Sequence, residues 1–203
     1  MDKKYLLKRG VNIMNVIKFN IEELKNNLNG FSCYIIGRSY DLEENGVKQN
    51  YKRALKYYNK GMDLNNPLCE YSLGISSLLG LGDELKINKE KGTRLLIDAY
   101  PKIIELINNK DLSLEERLYA KFVTGAYYYY GLGNIAVDYE KAFEIIKECA
   151  DEGHIAAIYD LGANFYYNGI GTKKDITKSR YYLNIACKEG LPRAIKKYNE
   201  ICI

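Results

Sequence analysis

The sequence predicts an all-α protein, a solenoid of about four stacked helix pairs with a capping helix at each end. Two observations predict it. The 203 residues include only 3 prolines, so long helices are possible, and 17 glycines that recur at regular places. In addition, one pattern built around these glycines occurs four times along the chain, which is typical of a repeat protein.

Each copy of the pattern starts with a small residue, followed four positions later by an aliphatic residue or threonine and then by an anchor glycine. Successive anchors are 37, 51 and 37 residues apart, so the second copy carries an insertion of about 14 residues. Small residues here let a second helix approach the first closely. The four anchors are Gly37, Gly74, Gly125 and Gly162.

A turn and the start of a second helix follow each anchor. Three of the four turns read Gly-x-Gly, which supplies positive φ where the chain reverses. Asn or Asp comes next and can cap the free N–H groups of the second helix. Each helix pair exposes an apolar side that only the next pair can cover, so stacking builds a curved solenoid. The predicted caps are Asn50, Asn88, Asp138 and Asp175.

The parts outside the pattern are predicted to close the solenoid. Residues 1–30 should form a tail and a capping helix that begins at Asn20, and residues 195–203 a C-terminal cap. In the second pair, Pro101 is predicted to kink the outer helix or to begin a new helix there. Ser113 opens a capping box for the third pair. The solenoid is predicted over residues 31–194, with units of about 31–67, 68–113, 114–153 and 154–190.

The fourth and third copies resemble a Sel-1-like repeat, an offshoot of the tetratricopeptide helical repeats. The resemblance covers roughly residues 31–194; the first copy departs from it at Gly61 and the second at Gly92. It implies a right-handed α–α superhelix that works as an adaptor or scaffold, with no catalytic residues or cofactor to carry over. The residues that carry it in the fourth copy are the segment 161–175 with Lys178, Tyr182, Ala186, Gly190 and Ala194.

Candidate residues for catalysis or metal binding are few. His154 is the only histidine and directly follows Gly153, so it is interpreted as structural or solvent-exposed. The 5 cysteines are odd in number and lack Cys-x-x-Cys spacing, which favours buried free thiols in the reducing cytoplasm. We therefore predict no catalytic, cofactor or metal site. The cysteines are Cys33, Cys69, Cys149, Cys187 and Cys202.

Aromatic residues offer a better candidate for function. If the first helix of each pair lines a concave groove, the residues three before, one after and four after each anchor face inward. Tyrosine supplies rigid contact area and one polar group, which suits a recognition surface; the alternative is packing between repeats. Four consecutive helical tyrosines at 127–130 sweep the whole circumference, so at least one should line the groove or protrude. The predicted groove residues are Tyr34, Arg38, Asp41, Tyr71, Ile75, Leu78, Phe122, Tyr129, Tyr159 and Tyr166.

The sequence thus favours a noncatalytic interaction module that binds a peptide or helix of another protein in this groove, as a bacterial regulatory adaptor or a toxin-immunity protein. One alternative is a hydrolase of the kind credited to some Sel-1-like proteins. Another is nucleic-acid binding through residues 1–60, which hold 12 Lys+Arg against 6 Asp+Glu, although a dense basic stripe is absent there. No apolar run reaches the roughly 18 residues that a membrane span needs.

Overall fold

The computed structural model describes residues 16–201, whose regular structure consists of helices without a strand. The predicted all-α repeat fold is confirmed. Most of the predicted N-terminal tail, together with Cys202 and Ile203, lies outside the described residues. The helices are α1 (Ile21–Asn26), α2 (Gly30–Leu42), α3 (Tyr51–Asp63), α4 (Pro67–Leu79), α5 (Lys89–Asn108), α6 (Leu114–Tyr130), α7 (Tyr139–Asp151), α8 (Ile155–Asp160), which continues into a π-helical segment (Leu161–Tyr166), α9 (Ile176–Lys188) and α10 (Pro192–Ile201).

The described chain divides into two compact bodies. The N-terminal body comprises residues 18–142, and the C-terminal body comprises residues 143–201 with residues 16 and 17. In the N-terminal body α2 packs on α3 and α4 on α5, while α3 also packs on α4 and α5 on α6. In the C-terminal body α9 packs on α8, on the π-helical segment and on α10. Helix pairs that pack on their neighbours in chain order are the arrangement the repeat pattern predicts.

The four predicted caps hold the second helix of each pair to the first. Every cap side chain accepts a hydrogen bond from the backbone N–H three residues later, at 2.9 Å in all four cases. The backbone N–H of each cap also donates to a carbonyl near the end of the preceding helix, so the cap ties both helices together. These bonds are Asn50 to Tyr40 at 2.8 Å, Asn88 to Ser77 at 2.7 Å, Asp138 to Tyr128 at 2.9 Å and Asp175 to Tyr166 at 2.8 Å.

Anchor glycines lie where the two helices of a pair touch. A methyl group at Gly37 would lie 2.6 Å from the ring of Tyr58, and one at Gly162 would lie 2.8 Å from Cγ of Leu183. Both distances are shorter than carbon atoms tolerate, so any larger residue would push the second helix away. In the second pair the corresponding contact is between Gly74 and Leu96. In all three pairs the residue that contacts the anchor glycine stands eight positions after the cap.

In the fourth pair, one residue more lies between the anchor glycine and the carbonyl that accepts from the cap N–H. The carbonyl that accepts from the cap lies three residues after the anchor in the other three pairs but four residues after Gly162, at Tyr166. The π-helical segment absorbs this residue, because a π turn holds one more residue than an α turn. Tyr166 therefore takes the place that Tyr40 and Tyr128 occupy in their pairs.

Helix α5 runs unbroken through Pro101, so the prediction of a new helix at this residue is wrong. Proline removes one backbone hydrogen bond from the helix. One face of the helix is fully buried on both sides of the proline, with Leu96, Ala99 and Ile103 each 0% exposed, and this packing holds the helix together. Ser113 caps α6 by accepting from the N–H of Glu116 at 3.1 Å, but the Glu116 carboxylate accepts from Asn66 at 3.3 Å, so the predicted capping box is formed only in its Ser113 half.

A helix lies near each end of the described chain, and the last one, α10, begins at Pro192, three residues before the predicted C-terminal cap. The side chain of Asn20 caps α1 by accepting from the N–H groups of Glu22 and Glu23 at 3.0 and 3.3 Å. At the other end α10 packs on α9. No helix in the part of the chain that the structure describes is long and apolar enough to cross a membrane.

Candidate interaction surfaces

Two residues of the predicted groove lie in the core of the N-terminal body instead. Tyr34 is 1% exposed and Phe122 is 8% exposed, which corrects their assignment as open contact residues. The cause is a direct contact between α2 and α6, which belong to the first and third pairs. Tyr119 of α6 lies 5.8 Å from both Tyr34 and Phe31 between ring centroids, and 5.7 Å from Phe19. These rings fill the space that a groove would need.

Arg38 and Asp41, also predicted to line the groove, are engaged by their own body. Arg38 donates from Nε and Nη2 to the two carboxylate oxygens of Glu44, at 3.0 and 3.2 Å, and its guanidinium lies 5.7 Å from the centre of the Phe122 ring. Burial acts to lower the pKa of Arg38, but the Glu44 carboxylate together with the nearby tyrosines outweighs it, so the pKa of Arg38 is raised. Sequence reasoning missed Glu44 because this residue follows α2, outside the helical positions that were counted from the anchor.

Asp41 lies about one turn after Arg38 on α2. Its carboxylate accepts from the hydroxyl of Tyr58 at 3.2 Å. Burial raises the pKa of Asp41, while the Tyr58 hydrogen bond and the positive charge of Arg38 oppose this shift. The carboxylate is thus held by the second helix of its own pair.

The hydroxyl of Tyr34 is buried and has no hydrogen-bond partner among the described residues. Burial raises the pKa of Tyr34 to about 12, since the phenolate would lose its hydration. A buried hydroxyl without a partner is energetically costly. It therefore makes this ring a less favourable core residue than phenylalanine would be.

In the C-terminal body the two predicted groove residues differ. Tyr166 is 5% exposed and stacks on Tyr182, with 5.6 Å between ring centroids, so its assignment to an open groove is also corrected. The physical reason is the π-helical segment, which shifts the residue four after the anchor onto the face that packs on α9. Tyr159 precedes this segment and stays half-buried.

Four further groove residues, in the N-terminal body, keep part of their surface accessible. Tyr71, Ile75 and Leu78 on α4 and Tyr129 on α6 are half-buried. Among the four consecutive tyrosines, Tyr127 is fully buried and Tyr130 is 64% exposed, so the prediction that at least one protrudes is confirmed.

Exposed apolar residues stand close to Leu78 and Tyr129 in the chain, at the turns and caps of the second and third pairs. Leu79 and Tyr130 each directly precede a turn glycine and are 74% and 64% exposed; Ile87 and Val137 each directly precede a cap and are 60% and 50% exposed. Tyr139, 47% exposed, packs on Tyr129 with 5.6 Å between ring centroids. We call these five residues the apolar edge.

The apolar edge is specific to the second and third pairs. The residues directly before the turn glycine and the cap in the fourth pair are polar, Asn168 and Lys174, and the residue before the first cap is Gln49. Sequence reasoning missed the edge because it counted groove positions from the anchors and did not consider the residues next to the turn glycines and the caps. The signal was available, since positions beside a turn normally hold polar residues and these four are aliphatic or aromatic.

A tyrosine pair with a lysine lies beside the apolar edge. The hydroxyls of Tyr100 on α5 and Tyr128 on α6 share a hydrogen bond of 3.2 Å, and Nζ of Lys141 lies 4.2 Å from the centre of the Tyr128 ring. Lys141 and then Tyr100 lower the pKa of Tyr128, because both favour its phenolate. Burial raises the pKa of Tyr100 to about 12.

His154 and the thiols serve structure. His154 is 0% exposed, and its Nδ1 accepts from the N–H of Ala157 at 3.2 Å, so this side chain caps α8. The prediction that His154 is structural is confirmed, and the alternative that it is solvent-exposed is wrong. Cys33, Cys69 and Cys149 are buried free thiols as predicted, whereas Cys187 is only half-buried. Over residues 16–201 no three His, Cys, Asp or Glu side chains cluster closely enough to hold a metal ion.

Comparison with known families agrees with the repeat geometry. The Sel1 repeat model matches residues 30–66, 118–154 and 155–191, which together make up more than half of the chain. The chain belongs to the Sel1 repeat family. The matched segments leave out residues 67–117, where this Sel1 repeat protein has its longest helix. Proteins of the family are generally noncatalytic scaffolds for protein–protein interaction.

Solved structures similar to this Sel1 repeat protein include three bacterial ones. A Sel1 repeat protein from Oxalobacter formigenes is 25% identical, with 86% of this chain and 72% of that chain covered and a TM-score of 0.44. A putative Sel1 repeat protein from Klebsiella pneumoniae is 17% identical, with 90% and 82% covered and a TM-score of 0.44. A protective antigen of uropathogenic Escherichia coli with an SLR fold is 18% identical, with 87% and 35% covered and a TM-score of 0.42. No curated protein sequence matches significantly.

Proposed function

We propose that this Sel1 repeat protein is a noncatalytic interaction module that holds a peptide or helix of a partner protein against the apolar edge. The observation that carries the proposal is the concentration of exposed apolar side chains. Of the ten large apolar residues exposed in the described chain, five lie at the ends of α4 and α6, in the loops that follow and at the start of α7. Clustered apolar surface of this kind is typical of interaction sites.

The half-buried groove residues extend this surface. Leu78 and Tyr129 are chain neighbours of Leu79 and Tyr130, while Tyr71 and Ile75 lie one to two turns earlier on α4. A partner segment on the edge would bury apolar area at about 25 cal/mol per Å². The proposed site in the N-terminal body is therefore the apolar edge with Tyr71, Ile75, Leu78 and Tyr129.

The loops are well placed for partner binding because the helix pairs hold them rigidly. The third-pair loop rests on α5, where a methyl group added to Gly133 would lie 3.3 Å from Ile97, and the second-pair loop leads directly into α5 at its cap Asn88. Both turns use glycines with positive φ, such as Gly80 at 78° and Gly131 at 65°. A surface held in one conformation loses little entropy on binding.

The biological setting we propose is the cytoplasm, where the protein acts as a regulatory adaptor or a toxin-immunity protein. Buried free thiols suit a reducing compartment. A toxin gene beside the gene of this protein would select the immunity role.

The experiment compares two double variants in cross-linking from the source cell. Tyr130→Ser with Val137→Ser removes apolar area from the edge, and the control, Met62→Ser with Leu64→Ser, removes exposed apolar area at the end of α3, where these side chains are 37% and 48% exposed. Quantitative mass spectrometry should show at least one protein recovered with the wild type and the control but lost with the edge variant. Recovery of the same proteins by all three would overturn the proposal.

A further inference from the structure

Charge is strongly segregated within the C-terminal body. Residues 173–197 carry eight Lys+Arg and two Asp+Glu, whereas residues 143–172 carry one lysine and five acidic residues. The basic segment begins in the loop before α9 and continues through α10. It is denser in positive charge than residues 1–60, which hold 12 Lys+Arg against 6 Asp+Glu.

Two lysines of this segment converge on one aromatic ring. Nζ of Lys174, in the loop before α9, lies 5.5 Å from the centre of the Tyr167 ring, and Nζ of Lys197, on α10, lies 4.8 Å from it. Lys197 also pairs with Glu200 at 3.4 Å, while Lys174 has no ion pair within the described residues. Two ammonium groups around a single ring repel each other, and one added negative charge would relieve that repulsion.

A second cation and ring continue the row one turn earlier on α10. The guanidinium of Arg193 lies 4.9 Å from the centre of the Tyr159 ring. Arg193 and Lys197 are four residues apart and thus share one face of α10. Tyr159 and Tyr167 are both half-buried, so the row keeps part of its surface accessible. We call Tyr159, Tyr167, Lys174, Arg193 and Lys197 the basic row.

Contacts within the basic row favour protein carboxylates over single-stranded nucleic acid as its ligand. Proteins that bind single-stranded nucleic acid offer aromatic faces on which bases stack. Here cations already lie against the rings of Tyr159 and Tyr167, so those contacts compete with base stacking. A lysine held by a ring can still donate N–H groups to a carboxylate, as Lys174 and Lys197 would.

We propose that the basic row docks an acidic segment of a partner protein, an inference that rests on the proposed role as an interaction module. Glutamate and aspartate side chains of that segment would accept from Lys174 and Lys197, while Arg193 adds positive charge to the row. The row would steer the partner by charge, whereas the apolar edge would supply contact area.

The test measures binding of a fluorescein-labelled polyglutamate peptide to the full chain by fluorescence anisotropy at low salt. Lys174→Glu with Lys197→Glu should weaken binding by roughly tenfold or more, since the attraction at the row is reversed. The control, Lys52→Glu with Lys56→Glu, makes the same change in net charge at two exposed positions of α3 and should stay close to the wild type. Circular dichroism checks that both variants fold.

Three outcomes would overturn the proposal: no binding of polyglutamate by the wild type, equal weakening by both double variants, or tighter binding of a labelled oligothymidylate than of the peptide. The last result would make the row a nucleic-acid surface. Because the peptide is a defined probe, its binding does not depend on the apolar edge. If the wild type binds polyglutamate but the edge variant recovers the same cross-linked proteins as the wild type, the apolar edge is ruled out as the partner site and the basic row is retained. If the wild type does not bind polyglutamate but the edge variant loses a cross-linked protein, only the proposal for the basic row is overturned.

Discussion

The guanidinium of Arg38 and the carboxylate of Glu44 form a two-bond ion pair, at 3.0 and 3.2 Å, that is largely withdrawn from water. Their side chains are 13% and 6% exposed. The pair connects the last turns of α2 to the loop that follows, and the Phe122 ring of α6 lies against its guanidinium. One ion pair thus lies where the first and third helix pairs meet.

Glu44→Gln should destabilise the protein by roughly 3 kcal/mol, because it leaves the Arg38 charge buried without its partner. Replacing both residues, by Arg38→Met with Glu44→Leu, should recover most of that loss. The free energy of unfolding in urea measures both. As a control, Asp151→Asn breaks the exposed pair of Lys147 and Asp151 and should cost about 0.5 kcal/mol or less. An equally small cost for Glu44→Gln would show that water reaches the Arg38 pair.

Tyr34→Phe should stabilise the protein by about 1 kcal/mol, because it removes a buried hydroxyl that has no partner among the described residues. The matched variant is Tyr127→Phe. Tyr127 is also fully buried, but its hydroxyl donates to the carbonyl of Leu96 at 2.8 Å, so its removal should cost about 1 kcal/mol. Urea unfolding should therefore give opposite signs for the two variants, and equal losses would contradict the unpartnered state of Tyr34.

Local features of the fold could be predicted from the sequence because neighbouring residues determine them. The caps at Asn50 and Asp175 needed only a side-chain acceptor three residues before a free N–H group. The anchor glycines needed only the close approach of two helices adjacent in the chain, as at Gly37 and Tyr58. Each of these contacts lies within one repeat.

The candidate site could not be predicted equally well, because it depends on contacts between repeats and on backbone register. Tyr34 is buried by Tyr119 of the third pair, and no spacing within one repeat encodes that contact. Tyr166 is buried because the π-helical segment shifts its register by one residue relative to Gly162. The inward positions were counted at α-helical spacing, so the count fails where the helix changes type.

Gly37→Ala should destabilise the protein by about 2 kcal/mol, since the added methyl group overlaps the ring of Tyr58, which is 2% exposed and has little room to move. Gly46→Ala separates this effect from backbone strain. Gly46 has a φ of 77° and no neighbour within 4 Å of an added methyl group, so it should cost only about 1 kcal/mol from the left-handed backbone. Thermal unfolding ranks the two, and a neutral Gly37→Ala would mean that α2 and α3 separate easily.

Lys141→Met should raise the pKa of Tyr128, because it removes the positive charge that favours the phenolate over the phenol. Alkaline titration of the phenolate ultraviolet absorbance measures this, and Tyr128→Phe identifies the component that belongs to Tyr128. The matched control is Lys91→Met, since Lys91 occupies the same position after its cap but Ser77 stands where the third pair has Tyr128. If Lys141→Met leaves the Tyr128 component where it is in the wild type, the lysine contact has no influence on the phenol, and the lowered pKa would have to come from the 3.2 Å hydroxyl contact with Tyr100.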